Sequence, residues 1–464
     1  MTLIRSISGI RGTIGGKPGD GLTPVDLVRY TSAFAAFLRE DHPGSRLRVV
    51  VGRDARISGP MVEQVVTGTL MGMGVDVTAI GLTTTPTAEM AVVMEQAHGG
   101  IILTASHNPK QWNALKLLNH RGEFLSAADG EKVLAIAGSG DTEFAAVGDL
   151  GKLRTDDSYI TRHIEKILEL PLVDSAAIQK ARLRVVVDAV NSTGGIAVPE
   201  LLKALKVNRI DKVNCSPDGL FSHNPEPLPE NLRDLCEAVA HNNADVGFAV
   251  DPDVDRLAIV NEIGEPIGEE YTLVAVADYI LQHTPGNTVS NLSSTQALKI
   301  VTEKAGGKYF ASAVGEVNVV EMMKRQNAVI GGEGNGGVIY PELHYGRDAL
   351  AGIALFLTFL AKSGMKCSAL RDHYPNFHIS KNKIEFDPDM DIDGILRALI
   401  GKYARQPMID IDGIRIQFGD EWVHLRRSNT EPIIRIYAES DMPEKADNLA
   451  RKIIGDFREI LNSR

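Results

Sequence analysis

The hexapeptide Arg46-Leu47-Arg48-Val49-Val50-Val51 returns unchanged as Arg182-Leu183-Arg184-Val185-Val186-Val187. Each copy is a β-branched run followed by a polar, glycine-containing loop and an amphipathic stretch, which is the order of strand, loop and helix. The first copy predicts a helix over 59–73 and a strand over 76–80. The second predicts a helix over 197–205 and a further strand. A looser third version begins near Thr288, passes through Leu292-Ser293-Ser294-Thr295 to a helix over 297–304, and returns as a strand over 309–314. Such units, more than a hundred residues apart, predict three related α/β domains and not a solenoid.

The pattern then changes. Short strands over 414–418, 422–425 and 433–438 precede one amphipathic helix over 444–461, an α+β arrangement. The expected fold is α/β: three related α/β domains with mixed sheets plus a C-terminal α+β domain. The expected spans are residues 1–150, 151–250, 251–365 and 366–464. Near the start, Thr23 as N-cap, Pro24 in the first turn, and Leu27, Tyr30, Phe34 and Phe37 at helical spacing predict a helix.

Composition narrows the function. The 464 residues are 44% apolar and 23% charged, as in ordinary globular proteins. Aromatics at 5% weigh against stacking platforms for single-stranded nucleic acid. A net charge of −11 weighs against non-specific binding to nucleic acid or anionic membranes. Cys215, Cys236 and Cys367 are dispersed and form no CxxC pair, which suits a reducing compartment. Residues 1–12 lack the apolar core of a signal peptide, and the longest apolar run, 349–361, is too short to span a bilayer. A cytoplasmic protein is expected.

Four loops carry chemistry. Thr104-Ala105-Ser106-His107-Asn108-Pro109 follows a strand-like Gly100-Ile101-Ile102-Leu103 and exposes a serine outside any G-x-S-x-G elbow; a plain polar turn is the alternative. Asp251-Pro252-Asp253-Val254-Asp255-Arg256 places three carboxylates at alternate positions, on one side of an extended segment. They would repel unless a cation lay between them, and oxygen-only ligands suit Mg²⁺ or Ca²⁺. An EF-hand fails where its sixth position needs Gly and the chain has Arg256. Gly331-Gly332-Glu333-Gly334-Asn335-Gly336-Gly337 lets backbone approach a ligand, with Glu333 and Asn335 able to bind hydroxyls. Arg426-Arg427-Ser428-Asn429-Thr430-Glu431-Pro432 has the makings of a phosphate cradle, or of a solvated hairpin loop.

Together and in this order, the four loops resemble those of the α-D-phosphohexomutase superfamily, over essentially the whole chain from Gly9-Ile10-Arg11-Gly12 onward. The resemblance implies four domains around a central active-site cleft and a phosphoserine at Ser106, flanked by His107 and Asn108. It implies Mg²⁺ held by Asp251, Asp253, Asp255 and a phosphoryl oxygen on Ser106. Lys116 matches a proton-transfer lysine, Arg256 the arginine beside the metal loop, and Arg11 an arginine near the phosphoserine. Glu333 and Asn335 would contact sugar hydroxyls; Arg426, Ser428, Asn429 and Thr430 would bind the distal phosphate. Many relatives have Glu-x-Ser-Gly-His in the sugar loop, where this chain has Asn335 for Ser and Gly337 for His. The segment Ser6-Ile7-Ser8-Gly9 also departs from a common Thr-Asp before the glycine.

The implied reaction interconverts hexose 6-phosphate and hexose 1-phosphate through a 1,6-bisphosphate, which also serves as activator. The expected partner is a small phosphosugar. Resemblance to bacterial members with a short N-terminus and the Arg-x-Ser-Asn-Thr-Glu-Pro ending points to glucosamine phosphate, whose ammonium would favour a carboxylate such as Glu333 or Glu316. Glucose or mannose phosphate is the alternative. A kinase should show an ATP-phosphate loop, and none is visible. A non-catalytic sugar-phosphate binder would leave Ser106 and the aspartates unexplained.

Overall fold

Both copies of the hexapeptide end as interior strands of mixed sheets. Arg48–Arg53 lies between Asp76–Leu82 and Gly99–Leu103, parallel to both, and Trp112–Asn119 adds antiparallel beyond Gly99–Leu103. Arg184–Asp188 lies between Arg209–Val213 and Val246–Val250, again parallel to both, with Leu257–Asn261 antiparallel beyond. The third unit repeats the order: Asn287–Asn291 sits between Tyr309–Ser312 and Ala328–Glu333, parallel to both. Strands covered on both faces need continuous apolar runs, and Val49–51 and Val185–187 are buried accordingly.

This computed structural model describes residues 1–6, 9–386, 390–428 and 433–462. It divides into two compact units, Met1–Tyr279 with Asn335–Leu370, and Ile280–Gly334 with Arg371–Arg464. The first holds the two hexapeptide sheets. The second holds the third parallel sheet and an antiparallel one, ordered His378–Glu385, Ile433–Ser440, Glu421–Arg427, Ile414–Phe418 and Met408–Ile409. Helices Ile392–Lys402 and Pro443–Asn462 supply apolar side chains to the core of that last sheet. The three α/β layers and the α+β end match the expected fold class.

Boundaries differ in instructive places. Val246–Val250 and Leu257–Asn261 are the arms of one antiparallel hairpin, so the boundary expected between residues 250 and 251 falls inside a continuous element. The second helix runs Gly194–Ala204, three residues early, because Gly194 lets it pack close: a Cβ there would meet Val250 Cγ2 at 2.5 Å. The apolar run over 349–361 forms the buried helix Ala349–Ser363, and no helix among the described residues is long and apolar enough to cross a membrane.

The first helix, Pro24–Asp41, begins with a capping box: Thr23 Oγ1 accepts from Asp26 N and Asp26 Oδ2 accepts from Thr23 N at 3.0 Å. Leu27, Tyr30, Phe34 and Phe37 are all buried, as the spacing requires. Thr23→Ala removes one arm of the box and should cost about 1 kcal/mol, read as a lower urea midpoint for the transition that melts this helix. Thr23→Ser should restore most of it; equal midpoints for all three proteins would remove the box from the stability of this fold.

Candidate active site

Residues 251–256, expected as an extended segment, form a turn instead. Val254 has φ +62° and its N–H donates to Asp251 O at 3.1 Å. The left-handed residue, costly for valine, folds the three aspartates inward. All three are fully buried, with one ligand oxygen from each within 4.8 Å of the others. Their oxygens are used unequally. Asp251 Oδ1 accepts from Asp255 N (3.1 Å) and Arg256 N (3.2 Å), and its Oδ2 accepts from Ser106 Oγ at 2.8 Å. Asp253 Oδ2 accepts from Lys116 Nζ and from Thr85 Oγ1, each at 2.7 Å. Asp255 Oδ2 accepts from Arg347 Nη2 at 2.7 Å. Asp253 Oδ1 and Asp255 Oδ1 have no donor among the described residues.

Electrostatics follow from this crowding. Burial, then the charges of Asp255 and Asp253, push the Asp251 carboxyl well above the usual carboxylate range. Burial pushes Asp253 the same way, but Lys116 and Thr85 outweigh it and hold that group low. Burial alone would depress Lys116, yet Asp253 and Asp255 raise it above the ordinary lysine value. Three buried carboxylates cannot all stay charged cheaply. A proton on Asp251 relieves the repulsion, and so would a hard divalent cation bound to the bare oxygens, to which this all-oxygen donor set is suited.

The serine is placed by neighbours that the motif did not reveal. Ser106 has φ +48°, a strained setting. Its N–H donates to Thr104 Oγ1, which donates to Asp54 Oδ2 at 2.7 Å. Asp54 pairs with Arg56 Nε at 3.0 Å, and the buried Arg56 guanidinium donates to the carbonyls of Asn108 (2.7 Å), Pro109 (2.8 Å), Trp112 and Ser106. One arginine thus staples the whole loop. Burial pushes Asp54 up despite that partner. The segment Arg53-Asp54-Ala55-Arg56 directly after the first hexapeptide strand was the available signal.

Ser106 Oγ also has the ring of His107 beside it. His107 Nδ1 is 3.5 Å away, and the nearby Arg256 charge, with burial and Arg11, keeps the imidazole well below its usual pKa and so neutral. Arg256 Nη1 donates to Glu226 Oε1 at 3.0 Å, and Arg11 Nη1 donates to Asn108 Oδ1 at 3.4 Å. The Nε–H groups of both arginines are buried and have no acceptor among the described residues. Asn335 belongs to this unit, but its Oδ1 accepts from Gly337 N at 3.2 Å in a local turn.

Glu333, Arg426 and Ser428 lie in the second unit. Glu333 Oε1 accepts from Asn291 Nδ2 (2.8 Å) and Gly315 N (3.0 Å). The preceding Val314 N donates to Asp412 Oδ2 at 2.9 Å, and Arg426 Nη1 donates to the same oxygen at 3.2 Å. Asp412, which the motifs did not indicate, therefore ties the two loops into one frame. Ser428 is buried, with its N–H on Ile433 O at 2.9 Å. Asn429 and Thr430 lie outside the described residues.

A second buried cluster sits behind the acidic turn. His163, His344 and Asp348 also bring ligand atoms within 4.8 Å of one another, but their protons are accounted for without a metal. Thr84 Oγ1 donates to Thr87 Oγ1, leaving the Thr87 proton for His163 Nδ1 at 2.9 Å; His163 Nε2–H then donates to Asp348 Oδ2 at 2.9 Å. His344 faces carboxylates at both nitrogens, Asp348 Oδ2 at 3.2 Å and Glu89 Oε2 at 3.3 Å. Burial opposes its charge, yet Asp348 and Glu89 push its pKa up to about 10. A histidine raised above its unfolded value of about 6.5 adds stability that is complete below that value and lost as pH rises through about 10. The difference in thermal midpoint between the parent and His344→Gln should therefore shrink from pH 6 to pH 10. A difference independent of pH would show that His344 carries no extra proton.

The chain as a whole has counterparts among known proteins. Phosphoglucomutase/phosphomannomutase α/β/α domains I, II and III match residues 3–143, 161–264 and 268–377, and the C-terminal domain of that family matches 381–455. A phosphoglucomutase/phosphomannomutase of Thermococcus kodakarensis is 36% identical over 94% of this chain and 95% of its own. A protein of Methanopyrus kandleri named "Probable phosphoglucosamine mutase" is 32% identical over 97% of each. The crystal structure of a phosphoglucomutase/phosphomannomutase family protein from Burkholderia thailandensis superposes with a TM-score of 0.85 at 26% identity, covering 100% of this chain and 98% of that one. With family domains matched in order along its length and near-complete relatives above 30% identity, the chain belongs to the phosphoglucomutase/phosphomannomutase family of α-D-phosphohexomutases.

Proposed function

We propose that the protein moves a phosphoryl group between O6 and O1 of a hexose through phospho-Ser106, with Mg²⁺ held by Asp251, Asp253 and Asp255. One observation carries this reading. The serine's hydroxyl donates to Asp251 at a site where, among the described residues, buried groups of both signs lack hydrogen-bond partners: Oδ1 of Asp253 and of Asp255, and Nε–H of Arg11 and of Arg256, the last reaching Asp255 Oδ1 only at 3.9 Å. Buried polar atoms seldom stay unpaired. A phosphoryl group on Ser106 would supply acceptors to the arginines, and a divalent cation would complete the carboxylates.

In the first half-reaction a free sugar hydroxyl attacks the phosphorus of phospho-Ser106. The P–Oγ bond breaks as the new P–O bond forms, giving the 1,6-bisphosphate; the hydroxyl gives up one proton and Ser106 Oγ gains one, and the reverse second half-reaction restores both. A bound divalent metal held by Asp251, Asp253 and Asp255 would supply charge stabilisation to the transferring oxygens. Arg11 and Arg256 bind those oxygens. Neutral His107 can take the hydroxyl proton, and protonated Lys116 can return one to Oγ, a division set by their opposite environments. The bisphosphate turns over and its other phosphate is transferred to Ser106 by the reverse step. Glu333 and Asn335 grip hydroxyls, while Arg426 and Ser428, with Asn429 and Thr430, hold the phosphate that does not react.

For the sugar we propose glucosamine phosphate. Support comes from the name of the Methanopyrus relative and from Glu333, a buried carboxylate suited to an ammonium at C2. The Thermococcus relative favours a second reading, glucose or mannose phosphate. Comparing kcat/KM for glucosamine, glucose and mannose 6-phosphates decides between them: a neutral sugar ahead by tenfold, about 1.4 kcal/mol, overturns the glucosamine assignment alone.

The mechanism itself is tested at the serine. Ser106→Ala should lower turnover by at least ~10³-fold with an unchanged circular dichroism spectrum. Intact mass after incubation with a hexose 1,6-bisphosphate should show one added phosphate on the parent and none on the variant. Near-parental turnover in Ser106→Ala would end the phosphoserine reading.

A further inference from the structure

We propose that Arg347 is a positioning residue for the Asp255 carboxylate, working in space that Gly337 leaves open. The inference rests on reading the acidic turn as a metal site. Arg347 Nη2 donates to Asp255 Oδ2 at 2.7 Å, and both side chains are buried. With Oδ2 tied to the guanidinium, Oδ1 has no donor among the described residues. Lys116 treats Asp253 in the same way, taking Oδ2 and leaving Oδ1 bare. A carboxylate turns readily about its last torsion. Tying one oxygen to a fixed cation keeps the other aimed at a ligand.

The room for Arg347 comes from a glycine. A Cβ on Gly337 would lie 2.3 Å from Arg347 Cδ, a clash real side chains essentially never show, and 3.0 Å from its Cγ, so Arg347 would have to move. The φ of Gly337 is not in the left-handed region, so space and not conformation demands the glycine there. This is the position where the sugar loop departs from the Glu-x-Ser-Gly-His pattern, and a histidine could not share it with Arg347 as placed. The departure and the arginine are two halves of one arrangement.

The backbone beside Arg347 is fixed as well. Asp348 N donates to Val338 O at 2.8 Å, and the Asp348 carboxylate caps the following helix through Leu350 N (2.8 Å) and Ala351 N (3.1 Å). On the other side His344 bridges Glu89 and Asp348, and a Cβ on Gly346 would strike Glu89 Oε2 at 1.8 Å. A guanidinium mounted on so rigid a base loses little entropy on pairing.

Charge and position predict opposite signs, which makes the role testable. A cation beside a metal site repels the metal, so deleting the charge alone would tighten binding. Loss of ligand orientation would weaken it, and groups that orient metal ligands are worth about 10–100-fold in affinity. Mn²⁺ titration by electron paramagnetic resonance on the full-length parent, Arg347→Met and Gly337→Ala reads this directly. We expect Kd to rise about tenfold or more in Arg347→Met, and comparably in Gly337→Ala, which keeps the charge but takes its room. The double variant should bind no worse than the weaker single one, since both changes remove one interaction. A Kd unchanged or tightened in Arg347→Met, or a fall in thermal midpoint without a change in Kd, overturns the proposal. If the parent itself fails to bind Mn²⁺, or binds it equally after Asp253→Asn, the metal reading falls and takes this inference with it.

Discussion

Three aspartates buried in a single turn repel one another, and much of the first unit is arranged to offset that repulsion. The backbone carbonyls of the turn are claimed from several directions: Pro252 O by the hydroxyls of Ser192 (2.7 Å) and Thr193 (2.9 Å), Asp253 O by Thr85 N (2.8 Å), and Val254 O by Ala349 N (3.2 Å). Each donor stands at the start of a helix, Gly194–Ala204, Thr85–Met94 or Ala349–Ser363. Helix N-termini carry partial positive charge, so three of them facing one acidic turn add to the cations of Lys116, Arg256 and Arg347. The elements that steady the turn are therefore the same ones that set its electrostatics. The αL strain at Val254 is held in place by these contacts.

The second unit solves a milder version of the problem with neutral groups. His424 is buried and donates Nε2–H to Asp412 O at 2.7 Å, while its Nδ1 faces Ser293 Oγ at 2.9 Å. Burial depresses its pKa to about 4, so it stays neutral and its two contacts need no counter-ion. Asp412 is left to pair with Arg426 and Val314 N. Arg426, expected to hold the distal phosphate, and Glu333, expected to hold the sugar, are thus braced against each other by hydrogen bonds within one unit.

Where local chemistry decided structure, the residues alone were enough. The Val runs had to be buried parallel strands, the capping box had to start a helix at Pro24, and the helix over 297–304 lies at its expected bounds. Ser106 and the aspartates stood out by residue type and spacing, whereas Lys116 was implied only by the resemblance. What escaped was whatever depends on tertiary contact. The turn at 251–256 looked extended because valine rarely adopts a positive φ, and only packing forces Val254 to do so. The strand His378–Glu385 was missed because it is a half-exposed edge with a mixed pattern. Arg56, Arg347 and Asp412 carry no motif. Each acts through a partner far away in sequence, such as Arg56 on Pro109 or Arg347 on Asp255.

The chain's charge and its proposed ligand have the same sign, which constrains how the ligand can be captured. At −11 the whole molecule repels a sugar phosphate, though at physiological salt that repulsion fades beyond about 8 Å. Net attraction must then arise at short range, where burial strengthens each charge. The Nε–H groups of Arg11 and Arg256, which have no hydrogen-bond acceptor among the described residues, meet that requirement: a phosphoryl oxygen gains a charge-assisted bond there without breaking a protein hydrogen bond, although Arg256 Nε already lies 3.9–4.0 Å from Asp255 and Asp251. Specificity for phosphate over a neutral sugar therefore costs the protein no global positive charge. The same unmet bonds that would be a liability in a folding core are, beside Ser106, the means by which an acidic protein can hold an anion.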